Sequence, residues 1–414
     1  MSITGSTGLA QRVLRLAVAA GLLAAATAIS GGSADAATPS QWVKAFWPTA
    51  KAAGISRKTY DVALGKFTPD PEVLKKAENQ AEFRNEIWEY LDSTVTEKRI
   101  AEGRELLVHH GALLKRIEAR YGVDRHIVVA IWGMESSYGA VLSNPTVVKG
   151  TIRSLATLAY QGGSRAKYGR QQLIAALKIL DRGDISVGGM IGSWAGAMGH
   201  TQFIPTTYAA YAVDFDGDGR RNIWTSLDDA LASTASYLDK MGWQEGKTWG
   251  YEVVVPKGFN TRAAQKKGER SLAQWRKAGL TRAGGKAFPR GADKATLYAP
   301  AGAKGPAFLV LKNFNVIKRY NNANSYALAV GHLADRLHGY DAFHGKWPRS
   351  EEPLTDGEKA KLQELLTARG YYSGEIDGNL GSGSREAIRA YQDAIGLSED
   401  SGLQKILQLL QAGR

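Results

Sequence analysis

The chain has 414 residues, 44% of them hydrophobic and 22% charged, the composition of a soluble globular protein with room for one large domain and one small one. It contains no cysteine, which excludes disulfides and a lipid-modified cysteine anchor and leaves core burial or a metal to supply stability. A net charge of +13 suits a polyanionic partner, whether nucleic acid, anionic lipid or an anionic wall polymer.

At the N-terminus Arg12 and Arg15 precede an apolar run from Leu16 to Ile29, and Ala34-Asp35-Ala36 offers an A-x-A cleavage site. The pattern reads as a secretory signal peptide over residues 1–36, with an uncleaved anchor as the alternative. No later apolar run is long enough to span a bilayer. The expected product is exported across the inner membrane to the periplasm, with no stable membrane anchor after cleavage. Export makes nucleic acid the weakest of the three polyanions.

From Gln41 to about Gly111 the pattern is helical, as in Phe83, Ile87, Trp88 and Leu91 on one face. Asp124 is placed to cap a buried helix that is apolar from Ile127 to Met134 and stops at Gly139. Further helices are predicted over Arg170–Leu180, within the Gly- and Ala-rich segment 188–199, over Leu227–Met241 closed by Gly242, and over Asn324–Leu337. Tyr251–Val255 and Phe308–Leu311 read as strands of a small sheet. Between them, Lys257 to Lys294 carries eleven Lys and Arg against Glu269 and Asp293, either a polyanion surface or a solvated face. Residues 346–353 read as a linker containing Pro348 and Pro353. Beyond it, Thr355 and Glu358 form a capping box before Leu362, Leu365 and Leu366. Ser384 is placed to cap a second helix carrying Ile388, Tyr391 and Ile395, and Leu403, Ile406, Leu407 and Leu410 line a third.

One carboxylate stands in an unusual setting. Glu135 lies in the last turn of the apolar helix, within Trp-Gly-Met-Glu-Ser-Ser-Tyr-Gly at 132–139. Apolar neighbours disfavour its charged form, and so does the negative end of the helix dipole. An acid that stays protonated near neutral pH is what glycosidic cleavage needs, although a glutamate at a helix end can also simply reach water. Glycosidases usually need a second carboxylate. Asp124 is about 16 Å away along the helix, beyond the roughly 9.5 Å limit of an inverting pair. Asp181 and Asp184 could approach only through the fold. Further on, Asp214, Asp216, Asp218 and Gly219 match the start of an EF-hand loop, whose twelfth position here is Thr225 rather than a glutamate.

Around Glu135 these residues resemble the membrane-bound lytic transglycosylase B family. The resemblance covers residues 40–345 and rests on four motifs in order. They are the segment 132–139, Gly-Ser-Trp-Ala-Gly-Ala-Met-Gly-His-Thr-Gln-Phe-Ile-Pro-Thr-Thr-Tyr at 192–208, Asp-Phe-Asp-Gly-Asp-Gly-Arg-Arg-Asn-Ile-Trp at 214–224 and Arg-Tyr-Asn-Asn-Ala-Asn-Ser-Tyr at 319–326. It implies a mainly α, lysozyme-like catalytic domain over 38–345 with a small β subdomain. It also implies a reaction: cleavage of the β-1,4 bond between N-acetylmuramic acid and N-acetylglucosamine without water, leaving 1,6-anhydro ends. One glutamate, matched by Glu135, then protonates the leaving oxygen and afterwards deprotonates the 6-hydroxyl, so no second carboxylate is required. By the same resemblance Ser193, Gln202, Tyr168, Asn321 and Tyr326 line the substrate cleft, with Tyr90 on a weaker match. A structural calcium ion is implied at Asp214, Asp216 and Asp218, closed by Asp228 and the Arg220 carbonyl, with Asp229 competing for that place or for capping the next helix. The alternative is a metal-free acidic turn. No cofactor is expected for catalysis.

Residues 354–414 resemble the small three-helix peptidoglycan-binding domain, through Leu362-Gln363, Gly370-Tyr371-Tyr372, Ile376-Asp377-Gly378 and Tyr391-Gln392. Such a module raises effective concentration on an insoluble polymer. The expected partners are peptidoglycan glycan strands and cell-wall synthesis proteins, with the chain itself a monomer. The competing readings are a hydrolytic muramidase on the same fold and a non-enzymatic wall-binding protein.

Overall fold

Asp124 starts the helix at the centre of the large domain, its side chain accepting the His126 backbone N–H as the sequence predicts. This computed structural model describes residues 37–78, 86–302, 305–349, 354–397 and 401–413. The chain divides into two units, Met1–Thr38 and Pro39–Arg414. The predicted signal segment 1–36 lies outside the described residues, as do Phe83 and Pro353. Among the described residues no helix is long and apolar enough to cross a membrane.

Ile127 to Gly133 are buried without exception, so the middle of the helix Arg125–Ser136 has no solvent face and has to be wrapped. Four helices pack on it: Glu97–His109, Gly111–Tyr121, Leu227–Lys240 and Asn324–Leu337. Each buried Ile or Val contributes roughly 1.5–3 kcal/mol. The helix Asn324–Leu337 keeps the predicted bounds. It runs antiparallel to the central one, since Tyr326 meets Glu135 while His338 meets Asp124 at the other end.

The segment 188–199 contains no helix, contrary to expectation. It folds back on itself through bridges between Gly192 and Met198 and between Met198 and Phe203. A Cβ on Gly192 would lie 1.9 Å from the Ala197 carbonyl oxygen. Gly192 serves backbone-to-backbone approach, while Gly196 lies against Leu155 of the helix Thr151–Gln161, where a Cβ would come within 2.6 Å.

The two predicted strands form as Gly250–Val254 and Ala307–Val310, antiparallel, with Tyr251 opposite Leu309. The full sheet has five strands in the order Arg270–Ser271, Lys294–Tyr298, Ala307–Val310, Gly250–Val254, Thr281–Arg282. Lys294–Tyr298 is a strand that the basic run concealed, with Ala295 and Leu297 turned to the core. Leu272, Trp275, Leu280, Leu297 and Leu309 give this subdomain a core of its own. From Val310 the chain passes into the helix Lys312–Tyr320 and on to Asn324–Leu337.

Residues 345–349 lie against the large domain. The Trp347 ring is 5.9 Å from Trp88 and 6.4 Å from Phe308, and the Arg349 guanidinium forks onto both Asp92 oxygens. The C-terminal helices are Asp356–Ala368, Ser382–Ala394 and Leu403–Gln411. Thr355 and Glu358 form the predicted capping box. Ser384 does not cap the second helix; Gly381 occupies that position, and buried Ser384 accepts a hydrogen bond from Gln363. Ile395 is 38% exposed, outside the core of Leu362, Leu366, Tyr391, Ile406 and Leu410.

Candidate active site

Glu135 is the next-to-last residue of the central helix. Beyond it Ser137, Tyr138 and Gly139 take φ values of 47°, 56° and 91° in succession. Two non-glycine residues in the left-handed region cost of order 1 kcal/mol or more each, so the surroundings have to hold the turn. They do so at several points. Ser136 Oγ donates to the His200 carbonyl at 2.9 Å and accepts from the Gly139 N–H at 3.1 Å. Tyr138 Oη donates to the Arg99 carbonyl at 2.9 Å. A Cβ on Gly139 would meet the His200 ring at 2.4 Å. His200 in turn accepts the Trp132 indole N–H at Nδ1, 3.0 Å away, and burial lowers its pKa to about 4, so it stays a neutral acceptor.

Burial pushes the Glu135 pKa up to about 7. The one opposing influence is Tyr326, whose hydroxyl donates to Oε1 at 2.6 Å. Among the described residues no carboxylate acts on Glu135. Glu135 keeps partial access to solvent, while Tyr326 behind it is 3% exposed. Tyr90 also faces it: burial, then the Glu135 charge, push the Tyr90 phenol up to about 12. Tyr320 is held well above its ordinary value by the same two causes, and its hydroxyl donates to the Thr201 carbonyl at 2.7 Å. Tyr320 was not singled out in the sequence, although it sits in the segment 319–326 beside Asn321. Three phenols that keep their protons thus surround one acid.

The other candidate cleft residues serve their own loops. Ser193 Oγ accepts the Ala197 N–H at 3.1 Å. Gln202, at φ 51°, donates its amide N–H to the Gly199 carbonyl at 2.9 Å. The Tyr168 hydroxyl donates to the Ala195 carbonyl at 2.9 Å, tying its helix to the segment containing Ser193. Asn321 is exposed in extended backbone just past the helix Lys312–Tyr320. Among the described residues no hydrogen bond joins any of these four to Glu135.

The possible second acids are all occupied elsewhere. Asp124 bonds His126 Nδ1 at 2.8 Å and His338 Nε2 at 3.1 Å, which hold its carboxyl low against the effect of burial. Asp181 accepts from Ser56 and Thr59, each at 2.5 Å. Asp184 pairs with Arg182 and Arg221, each at 3.3 Å.

In the acidic loop, Asp214, Asp216, Asp218 and Asp229 each bring a carboxylate oxygen within 4.8 Å of the others. Asp228, expected to close the loop, points elsewhere and pairs with Arg116 at 2.7 Å. The two are adjacent in the first turn of the helix Leu227–Lys240, about 100° apart around its axis, so only one can face the loop. Asp229 is the buried one, and it accepts the Phe215 and Asn222 N–H groups at 2.7 Å each. Burial pushes its pKa up to about 6 against those bonds, with the Asp216 charge adding to the rise. Four carboxylates without a balancing cation side chain among them are a hard-oxygen donor set of the calcium type.

Comparison with known proteins places these features in context. Residues 38–335 match the family model described as Transglycosylase SLT domain, and residues 356–402 match the putative peptidoglycan binding domain. The membrane-bound lytic murein transglycosylase B of Escherichia coli K12 is 30% identical over 300 residues, 69% of this chain and 79% of that protein. The structure of SltB3 from Pseudomonas aeruginosa in complex with NAG-anhNAM-pentapeptide is 46% identical, with a TM-score of 0.72 over 90% of this chain and 99% of that one. The Escherichia coli lytic transglycosylase Slt35 in complex with calcium is 29% identical, with a TM-score of 0.58 over 72% of this chain and 92% of that one.

Proposed function

We infer the chemistry from one premise: this chain belongs to the family of lytic transglycosylases built on the transglycosylase SLT domain. Its fold is the mainly helical, lysozyme-like fold of that family, and it is an enzyme acting on peptidoglycan. The reaction breaks the β-1,4 bond between N-acetylmuramic acid and N-acetylglucosamine without water. Glu135 carries both proton transfers. With a pKa near 7 it is partly protonated at neutral pH and gives its proton to the glycosidic oxygen as that bond breaks. The resulting carboxylate is held by the Tyr326 hydroxyl. It then takes the proton of the muramic acid 6-hydroxyl as that oxygen bonds to the anomeric carbon, which closes the 1,6-anhydro ring and restores the acid.

The observation that carries this reading over hydrolysis is the isolation of Glu135. A hydrolytic pair needs a second carboxylate within reach, and Asp124, Asp181 and Asp184 are each bound to other groups. Mass spectrometry of digested peptidoglycan tests it. Products lighter by one water than their reducing-end counterparts are expected, and reducing ends alone would assign the chain to hydrolysis.

Tyr90, Tyr168, Ser193, Gln202, Asn321 and Tyr326 are assigned to the cleft around Glu135. Tyr168 and Ser193 would act as one edge through their shared loop, Tyr90 and Tyr326 through proximity to the acid. A calcium ion would be held by Asp214, Asp216, Asp218 and Asp229, with the Arg220 carbonyl. When bound it neutralises the loop's charge and stabilises the fold. We assign catalysis to residues 38–345, the linker to 346–353 and wall binding to 354–414; the family matches at 38–335 and 356–402 support the division. Export to the periplasm, where the substrate lies, rests on the leader pattern in residues 1–36.

A further inference from the structure

We propose that the sheet-bearing insertion between the helices Leu227–Lys240 and Lys312–Tyr320 is a second substrate-contacting surface, which takes the carboxylates of peptidoglycan's peptide stems. This rests on the reading of the chain as a peptidoglycan enzyme.

From 257 to 294 the insertion carries eleven cations and two acids, and the fold does not use that excess internally. Asp293 is neutralised by Lys247 at 2.9 Å and Arg290 at 2.8 Å. These are the stretch's ion pairs among the described residues. Arg270 and Arg282 lie over the rings of Trp275 and Tyr251, at 5.2 and 4.8 Å. Lys257, Lys266, Lys267, Arg276, Lys277, Lys286 and Lys294 are exposed. Unbalanced like charges on one small subdomain repel one another and are relieved by an anionic partner.

A depression of about 340 Å³ lies in this surface, lined by Arg270, Gln274, Lys277 and Ala278. Two cations and an amide are suitable donors for a carboxylate. Arg276 and Lys277 end one short helix, while Lys266 and Lys267 end another. The anion is a wall polymer's and not a membrane's, because no large hydrophobic side chain is exposed between 257 and 294, and on the adjoining strand only Val254 is. A surface that lies on lipid needs apolar residues to insert. The insertion is also near the cleft. A single nine-residue helix, Lys312–Tyr320, leads from the sheet to Tyr320 beside Glu135, a length of about 14 Å. The cations themselves lie on and beside the edge strand Arg270–Ser271, one strand removed from Ala307–Val310, so a peptide stem reaching out from the cleft, and not the sugar chain in it, is the part of the substrate proposed to meet them.

The test compares the full chain with a variant carrying Lys266→Gln, Lys267→Gln, Arg276→Gln and Lys277→Gln, all at exposed positions. Co-sedimentation is measured with intact sacculi and with phosphatidylglycerol vesicles, and binding to glycan strands stripped of peptide by an amidase, which are soluble, is measured by pull-down on immobilised strands, all at low and high ionic strength. The variant is expected to bind intact sacculi roughly tenfold more weakly at low salt, to lose most of the salt dependence, and to match the parent on stripped strands. Equal binding to intact sacculi, an equal deficit on stripped strands, or a deficit confined to vesicles would each overturn the proposal. Both proteins should form anhydro ends on stripped strands. If neither does, the assigned reaction fails, while the binding comparison still stands or falls by itself.

Discussion

Glu135 and the loop Asp214–Asp229 handle negative charge in opposite ways. Glu135 is one carboxyl among phenols and apolar side chains, and burial lifts its pKa to about 7. The loop gathers four carboxylates and surrounds them with backbone N–H donors, among them Gly217 to Asp214 at 2.7 Å and Arg220 to Asp218 at 2.8 Å. An acid that must give away its proton is isolated and desolvated. The loop's acids are clustered and suited to a cation, and backbone donors hold down the rise that burial causes in Asp229, the buried one, whose pKa is about 6. The position in the fold, not the residue type, decides between proton donor and ligand.

The largest effect that bears on this contrast is expected from Glu135→Gln. Turnover should fall about 10³-fold or more, read as loss of anhydro ends. The same variant should be more stable at pH 8, not less. Glu135's pKa is raised from 4.5 in the unfolded chain to about 7 in the fold, so burying it costs nothing below pH 4.5. The cost grows as pH rises and is complete above about 7, where it is roughly 1–3 kcal/mol. A thermal melt at pH 4 and pH 8 checks both the sign and the window. Residual turnover near the parent's would remove Glu135 from the mechanism.

Tyr326→Phe should lower turnover by about 10–100-fold and move the upper limb of the pH–rate profile to higher pH. The hydroxyl is the one group pulling the Glu135 pKa down, so its loss lets burial act alone. A limb that moves down would contradict the account. Asp229→Asn should act on stability with chemistry intact: about 1–3 kcal/mol, a few degrees of melting temperature, and loss of the stabilisation by calcium that a chelator removes in the parent. Asp228→Asn should give the smallest effect, within about 0.5 kcal/mol, because it breaks only an exposed pair with Arg116. If Asp228→Asn abolishes the calcium response and Asp229→Asn does not, the closing ligand has been misassigned.

Local features were legible where one residue type in one pattern has few outcomes. Asp124 before an apolar run is a cap, and the helix ending near Glu135 appears as expected. The helix Asn324–Leu337 and the capping box at Thr355 do as well. The segment 188–199 is not legible because glycine and alanine suit both a tightly packed helix and a loop folded on itself, and the approach of Gly192 to Ala197 tells them apart. The strand Lys294–Tyr298 was missed because lysine at its start continues a basic run. Asp228 was preferred to Asp229 because sequence spacing cannot resolve which of two neighbours faces inward.

Composition and pattern were enough to place a desolvated acid at the end of a buried helix, since apolar periodicity and capping act over a few residues. They could not show that Tyr326, 191 positions later, donates to that acid, or that among the described residues no other carboxylate acts on it. Those facts depend on how helices distant in the chain pack, and packing is a property of all their surfaces together. The acid's place at the end of an apolar helix is therefore written locally, while its raised pKa and the choice between one acid and two belong to the assembled fold.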